Sequence, residues 1–294
     1  MQQSYSVVAS SVNYYVDHGA DHTITIFNGV TKLKTSIKFK SGSRSGGGVR
    51  KAIKEFSSRS RLNMMQGIFS RSLYPSLFIT LTYPRFYPAC ATEWKCHLDN
   101  FYKALRRKLP GSCFYWKLEP QKRGAPHFHL LGLPGEEINL FLLRQIVAAI
   151  WFRVCDTGDF KHFLAGTSVE PISGVSKKIR AYVCKYIGKS NFSCTLEAWQ
   201  TPGRFWGILG RNNLPPCLAN KVKISKEDFY RVKRCMRSWL KRLSPSSCKY
   251  SERLKKLPSF FLFVSCEVMI KLVEFITCAI LPPPEVFLQE EGVK

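Results

Sequence analysis

Acidic residues are scarce in this chain: 20 Asp and Glu stand against 45 Lys and Arg in 294 residues, a formal net charge of +25. So lopsided a surface repels itself unless it meets a polyanion. Nucleic acid is the usual one, with anionic membrane second. Paired cysteine motifs are also missing. The 11 cysteines are odd in number, form no C-x-x-C and are scattered through apolar segments. That argues against a disulfide scaffold and fits a reduced, cytoplasmic setting where Cys serves as a small hydrophobe. No secretory signal is expected, because no basic stretch followed by an apolar one opens the sequence. The longest apolar run, 260–281, is broken by Glu267, Lys271 and Glu274. Those three share one side of a helix, which predicts a docking helix and no stable membrane span. "YIGKS" (186–190) ends like a phosphate-binding loop, but Val183 stands where the loop needs its first glycine. No nucleotide hydrolysis is expected. No internal repeat is visible.

What is present divides into four segments. Residues 1–62 are an N-terminal segment whose part 32–61 is basic and interrupted by "SGSRSGGGVR", which predicts a flexible arm. Within it, "VDHGADH" (16–22) reads as an exposed turn rather than a metal site. Residues 63–215 form the main domain, 216–257 a basic helical region, and 258–294 a hydrophobic helix and tail. In the main domain "SLFITLTY" (76–83) alternates Leu77, Ile79 and Leu81 against Phe78, Thr80 and Thr82, a strand pattern. Residues 92–111 repeat Trp94, Leu98, Phe101 and Leu105 at helical spacing, with Glu93 in the first turn and Arg106, Arg107 and Lys108 in the last. "CFYWKLE" (113–119) and "HFHLLGL" (127–133) read as strands, 136–152 as an apolar helix, 166–172 as a short strand and 176–189 as an amphipathic helix. Strand–helix–strand–strand–helix–strand predicts an α+β, ferredoxin-like split βαβ domain with an antiparallel sheet, followed by the basic helical region. That sheet alone assigns no function.

The chemistry is carried by two stretches. On a strand, residues two apart share a face, so His127 and His129 project together. Glu119 joins them if the two strands form a hairpin. Two imidazoles and a carboxylate can hold a divalent metal, and the set does not choose between Mg²⁺, Mn²⁺ and Zn²⁺. In "AYVCKYIGK" (181–189), Tyr182 and Tyr186 are one helical turn apart, their bases about 6 Å from each other. Each has a lysine three residues on, Lys185 and Lys189. A phenol titrates near pH ~10 and needs nearby positive charge to attack at neutral pH. Lysine and a metal-polarised phosphate supply it.

The "FITLTY" strand, the "PHFHLLG" strand with Glu119 upstream and the "YVCKYIGK" helix, in this order, resemble the three motifs of rolling-circle replication initiators, the HUH endonucleases. The paired tyrosines and "GRFWGILG" (203–210) look most like the initiators of microvirus-type single-stranded-DNA phages and related plasmids. The resemblance spans roughly 73–210. It implies the HUH nuclease fold and a nickase of single-stranded DNA at a replication origin. It further implies Mg²⁺ or Mn²⁺ on Glu119, His127 and His129, with Tyr182 and Tyr186 as alternating nucleophiles that form a 5′-phosphotyrosine. Lys185 and Lys189 would then orient phosphate, while Thr80, Thr82, Lys117, Arg123 and Arg204 would contact DNA. A host helicase and polymerase would act with it, in the bacterial cytoplasm if the chain is phage-encoded. Rival readings are an HUH-type transposase or relaxase, and a non-catalytic nucleic-acid-binding module of ferredoxin-like fold. The second would need exposed aromatics on the sheet where this chain has Glu119, His127 and His129.

Overall fold

The computed structural model describes residues 20–37, 52–172, 183, 196–243, 251–252, 254–255, 257, 259–278, 281 and 285–287. Tyr182, Lys185, Tyr186 and Lys189 lie outside these. Of the helix expected over 176–189, only Val183 is described, helical and buried.

The chain enters through β1 (Ala20–Phe27) and β2 (Thr31–Ile37), an antiparallel pair closed by Phe27 N–H donating to Val30 O at 2.9 Å. Their periodicity is that of strands with one wet face: Ile24, Ile26 and Leu33 are buried, while Thr and Lys alternate with them. The turn expected at 16–22 and the flexible arm expected from 32 are therefore corrected. Asp21 and His22 belong to β1, and residues to 37 belong to β2.

Next come α1 (Ser58–Phe69), β3 (Leu77–Thr82), α2 (Ala91–Lys108), β4 (Cys113–Pro120), β5 (Pro126–Leu133), α3 (Leu140–Cys155), α4 (Phe160–Ala165), β6 (Thr167–Pro171) and β7 (Trp206–Leu209). The chain continues through β8 (Cys217–Lys223), α5 (Lys226–Leu243), β9 (Ser259–Leu262), α6 (Cys266–Thr277) and β10 (Glu285–Phe287). Trp94, Leu98, Phe101 and Leu105 of α2 are buried, as their spacing predicts. Asn139 caps α3, its side-chain oxygen accepting from Phe141 N at 2.8 Å. The hydrophobic segment from 258 departs from expectation. It forms the short strand β9 before a 12-residue helix, and no helix among the described residues is long and apolar enough to cross a membrane.

Two compact units result. One comprises 48–68 and 73–215; the other comprises 1–47, 69–72 and 216–294. The first holds an antiparallel sheet in the order β6-β3-β5-β4-β7. That α+β arrangement is compatible with the split βαβ, ferredoxin-like fold. Ile79, Leu81, Leu118, Phe128 and Leu130 make one face of it apolar and buried, and with α2 and α3 they form the core. Phe101 meets Trp151 edge-on at 5.9 Å where the two helices join. The second unit holds the sheet β10-β8-β1-β2-β9, with α5 and α6 packed on its apolar face through Phe229, Val232, Met236, Met269 and Val273. Segments from both ends of the chain thus share one sheet, rather than forming an arm, a helical region and a tail.

Candidate functional site

Cross-strand register builds the site. β3 pairs with β5 so that Thr80 faces His129 and Thr82 faces His127; β5 pairs with β4 so that His129 faces Lys117 and His127 faces Glu119. Directly opposed residues of an antiparallel pair point to the same side. Thr82, His127 and Glu119 therefore form one row, and Thr80, His129 and Lys117 the next, extended by Trp206 of β7. This is the sheet face opposite the apolar one.

Hydrogen bonds tie the rows together. The Glu119 carboxylate accepts from His129 Nε2 at 2.7 Å and from Lys117 Nζ at 2.9 Å. Thr82 Oγ1 lies 3.0 Å from His127 Nδ1, and Thr80 Oγ1 lies 3.5 Å from His129 Nδ1. A hydroxyl that accepts from Nδ1–H leaves the Nε2 lone pair available to a ligand. The two imidazoles stand edge to face, centroids 4.5 Å apart, and His129 stacks on Phe78 at 5.4 Å. The end of β3 is pinned from behind. Thr82 O accepts from Trp151 Nε1 and His162 Nε2, each at 2.8 Å, and Thr82 N–H donates to Gly166 O at 2.8 Å. An open cleft of about 480 Å³ lies beside Glu119 and His127.

The electrostatics follow from this packing. Burial works to raise the Glu119 carboxyl, but the hydrogen bond and charge of His129, with the Lys117 ammonium, outweigh it and hold the pKa down at about 2. Burial and the charge of His129 press His127 down to about 4, against the pull of Glu119, so its ring is neutral at pH 7. Both groups bind protons more readily in the unfolded chain, so stability falls as pH falls. His127 contributes between about 6.5 and 4, and Glu119 between about 4.5 and 2. The melting temperature of metal-free protein is therefore expected to drop continuously below pH ~6.5, and His127→Asn should flatten the upper part of that drop.

Three expected DNA contacts find other employment. The Lys117 side chain is 3 % exposed, paired to Glu119 and set 5.5 Å from the Phe56 ring, so it serves the carboxylate rather than the surface. α1 accounts for that burial: Tyr115 O–H donates to Gly67 O and Trp206 Nε1 to Ser60 Oγ, each at 2.8 Å, laying the helix against the Lys117 side of the face. The Arg123 guanidinium donates to Tyr83 O at 2.5 Å and Pro84 O at 2.7 Å, fastening the β4–β5 loop to the end of β3. Thr80 and Thr82 turn toward the histidines. Arg204 remains exposed. Sequence reasoning missed Gln121, whose amide lies 3.4 Å from His127 Nδ1, and gave His162 no role although it holds Thr82. Nothing local signals either one, since both act across long sequence separations or within a loop.

As it stands, no group of three or more His, Cys, Asp or Glu side chains among the described residues is disposed to hold a metal ion. The Glu119 carboxylate is closed onto His129 and Lys117.

Residues 76–191 match the model of a family of replication-associated proteins, the ORF2 family. The span runs from the start of β3 through β6 and includes Glu119, both histidines and both tyrosines. It supports a role in initiating rolling-circle replication, and with it DNA binding. No curated protein and no solved structure matches the chain.

Proposed function

We propose that this protein is an HUH-type initiator that nicks and rejoins single-stranded DNA at a rolling-circle origin, of the kind found in microvirus-like phages. The observation that carries the reading is the pairing of β3, β4 and β5. It gathers His127, His129 and Glu119 on one solvent-facing patch inside the span that matches replication-associated proteins.

Glu119, His127 and His129 would hold Mg²⁺ or Mn²⁺. Two donors each about 2.1 Å from an ion and at right angles to it stand about 3.0 Å apart. The Glu119–His129 contact of 2.7 Å would open by only a few tenths of an ångström to admit one. The donor chemistry therefore fits, at the cost of one hydrogen bond. When bound, the ion would polarise the scissile phosphate. Thr80 and Thr82 orient the imidazoles, and Lys117 keeps Glu119 ionised and fixed. Tyr182 or Tyr186 attacks phosphorus through its phenolate oxygen, the bond to the 3′ oxygen breaks, and that oxygen takes up a proton. A 5′-phosphotyrosine and a free 3′-OH result. Lys185 and Lys189 stabilise the phenolate and the charge developing at phosphorus. The second tyrosine then repeats the step on a finished strand. Lacking a phosphate-binding loop, the chain would rely on a host helicase, and a host polymerase would extend the 3′-OH.

The test is extension. Single-stranded DNA of its own replicon, incubated with protein and Mn²⁺, should yield 3′ ends that a polymerase extends, and unit-length circles on rejoining. Preferential joining to unrelated target ends would indicate a transposase, and intact DNA under every divalent metal a non-catalytic binder.

A further inference from the structure

The second unit carries a feature that nicking does not use. Its sheet has an apolar face under α5 and α6; the opposite face is built by two cross-strand rows. Register places Lys221, Thr25, Lys32 and Phe261 side by side across β8, β1, β2 and β9, and Lys223, Thr23, Lys34 and Ser259 in the next row. Rows two residues apart lie about 7 Å from each other. Four ammonium groups therefore share one small sheet surface. Lys34, Lys221 and Lys223 are exposed, and Lys32 is half-buried with its Nζ 5.4 Å from the Phe261 ring centroid. Among the described residues none of the four forms a salt bridge. One carboxylate, Asp21, sits at the end of β1 opposite Ser36, a further row beyond Thr23. The lysines repel one another: burial, then the charges of Lys34 and Lys221, depress the Lys32 pKa.

An unneutralised array of this kind costs folding energy, and a polyanion laid across it relieves the repulsion. Phosphates along a strand match charges repeated along the sheet, and Phe261 at the end of one row offers a ring on which a base can stack. Duplex DNA gives no unstacked base to that ring, and the face lacks the apolar belt that would enter a lipid surface.

We infer that the Lys32–Lys34–Lys221–Lys223 face is a second, sequence-independent binding platform for single-stranded nucleic acid, separate from the Glu119–His127–His129 patch. It holds strand by its backbone and works without metal or tyrosine chemistry.

The test uses the full chain in EDTA with a labelled oligothymidylate, reading anisotropy against salt. A Lys34→Ala, Lys223→Ala double variant removes two exposed side chains and should keep the wild-type melting temperature. Each lost phosphate contact flattens the log K against log salt slope by about 0.7, so the slope should fall by about 1.4 and the affinity by roughly 10- to 30-fold at about 0.1 M salt. Phe261→Leu should keep the slope and weaken binding at least about fivefold. Affinity within twofold of wild type with an unchanged slope overturns the proposal. So does an intact DNA affinity with lost binding to phosphatidylserine vesicles, which would make the face a lipid contact. Failure of the nickase reading shows separately, as intact slope effects in a protein that never cuts.

Discussion

Replacing His129 with alanine is expected to lower single-strand nicking on the order of 10²- to 10³-fold, with binding of non-origin DNA unchanged. The size follows from position. His129 touches every other member of the patch: Glu119 through Nε2, Thr80 through Nδ1, Phe78 by stacking and His127 edge-on. Without the imidazole, Glu119 keeps only Lys117 as a cationic partner, and a carboxylate neutralised by an ammonium is a poor metal ligand. Raising Mn²⁺ should recover part of the activity of a Thr80→Val variant, in which the imidazole is present but less well oriented, and little of the alanine variant. Activity of His129→Ala within threefold of wild type would remove the patch from the chemistry.

The second large effect is on stability. Gly132 of β5 faces Leu77 of β3 and Phe114 of β4. A Cβ there would stand 1.9 Å from Cys113 O, 2.7 Å from Phe114 Cδ1 and 2.8 Å from Phe114 Cα. Two of these contacts are with backbone, so no rotamer change relieves them and β4 itself must move. Gly132→Ala should cost about 3 kcal/mol and lower Tm by roughly 6–12 °C. The same displacement runs along β4 toward Glu119, so nicking should fall even where the variant remains folded. A Tm within about 2 °C of wild type would show that the strands yield more easily than the close approach implies.

How far such a site can be read from sequence depends on the range of the contacts. The strand and helix periods over 76–171 were legible because each element shows one buried and one polar face. The hairpin that brings Glu119 beside His127 was legible for the same reason, being a local pairing of β4 with β5. The pairing of β3 with β5 joins residues nearly fifty apart, so Thr80 and Thr82 looked like free polar groups suited to DNA although they face the histidine Nδ1 atoms. Lys117 was misjudged similarly, because Phe56 and α1, which shut it from solvent, come from far upstream. β1 and β2 were hidden by their own chemistry. With Lys and Thr on one face and a glycine turn between them, they resemble a basic linker, and only their partners β8 and β9 from the other end of the chain make them strands. The apolar stretch from 258 shows the opposite error. Its hydrophobic residues serve first β9 and then α6, and composition alone cannot mark where one ends.

The most direct measurement is covalent capture. Labelled single-stranded DNA from the protein's own replicon is mixed with purified protein and Mn²⁺ and run on a denaturing gel. The account predicts a labelled band at the size of the protein that requires both metal and His129. That band should survive in at least one of Tyr182→Phe and Tyr186→Phe and vanish in the double variant. Tight DNA binding with no adduct on any origin fragment, or an adduct that persists without both tyrosines, would contradict it.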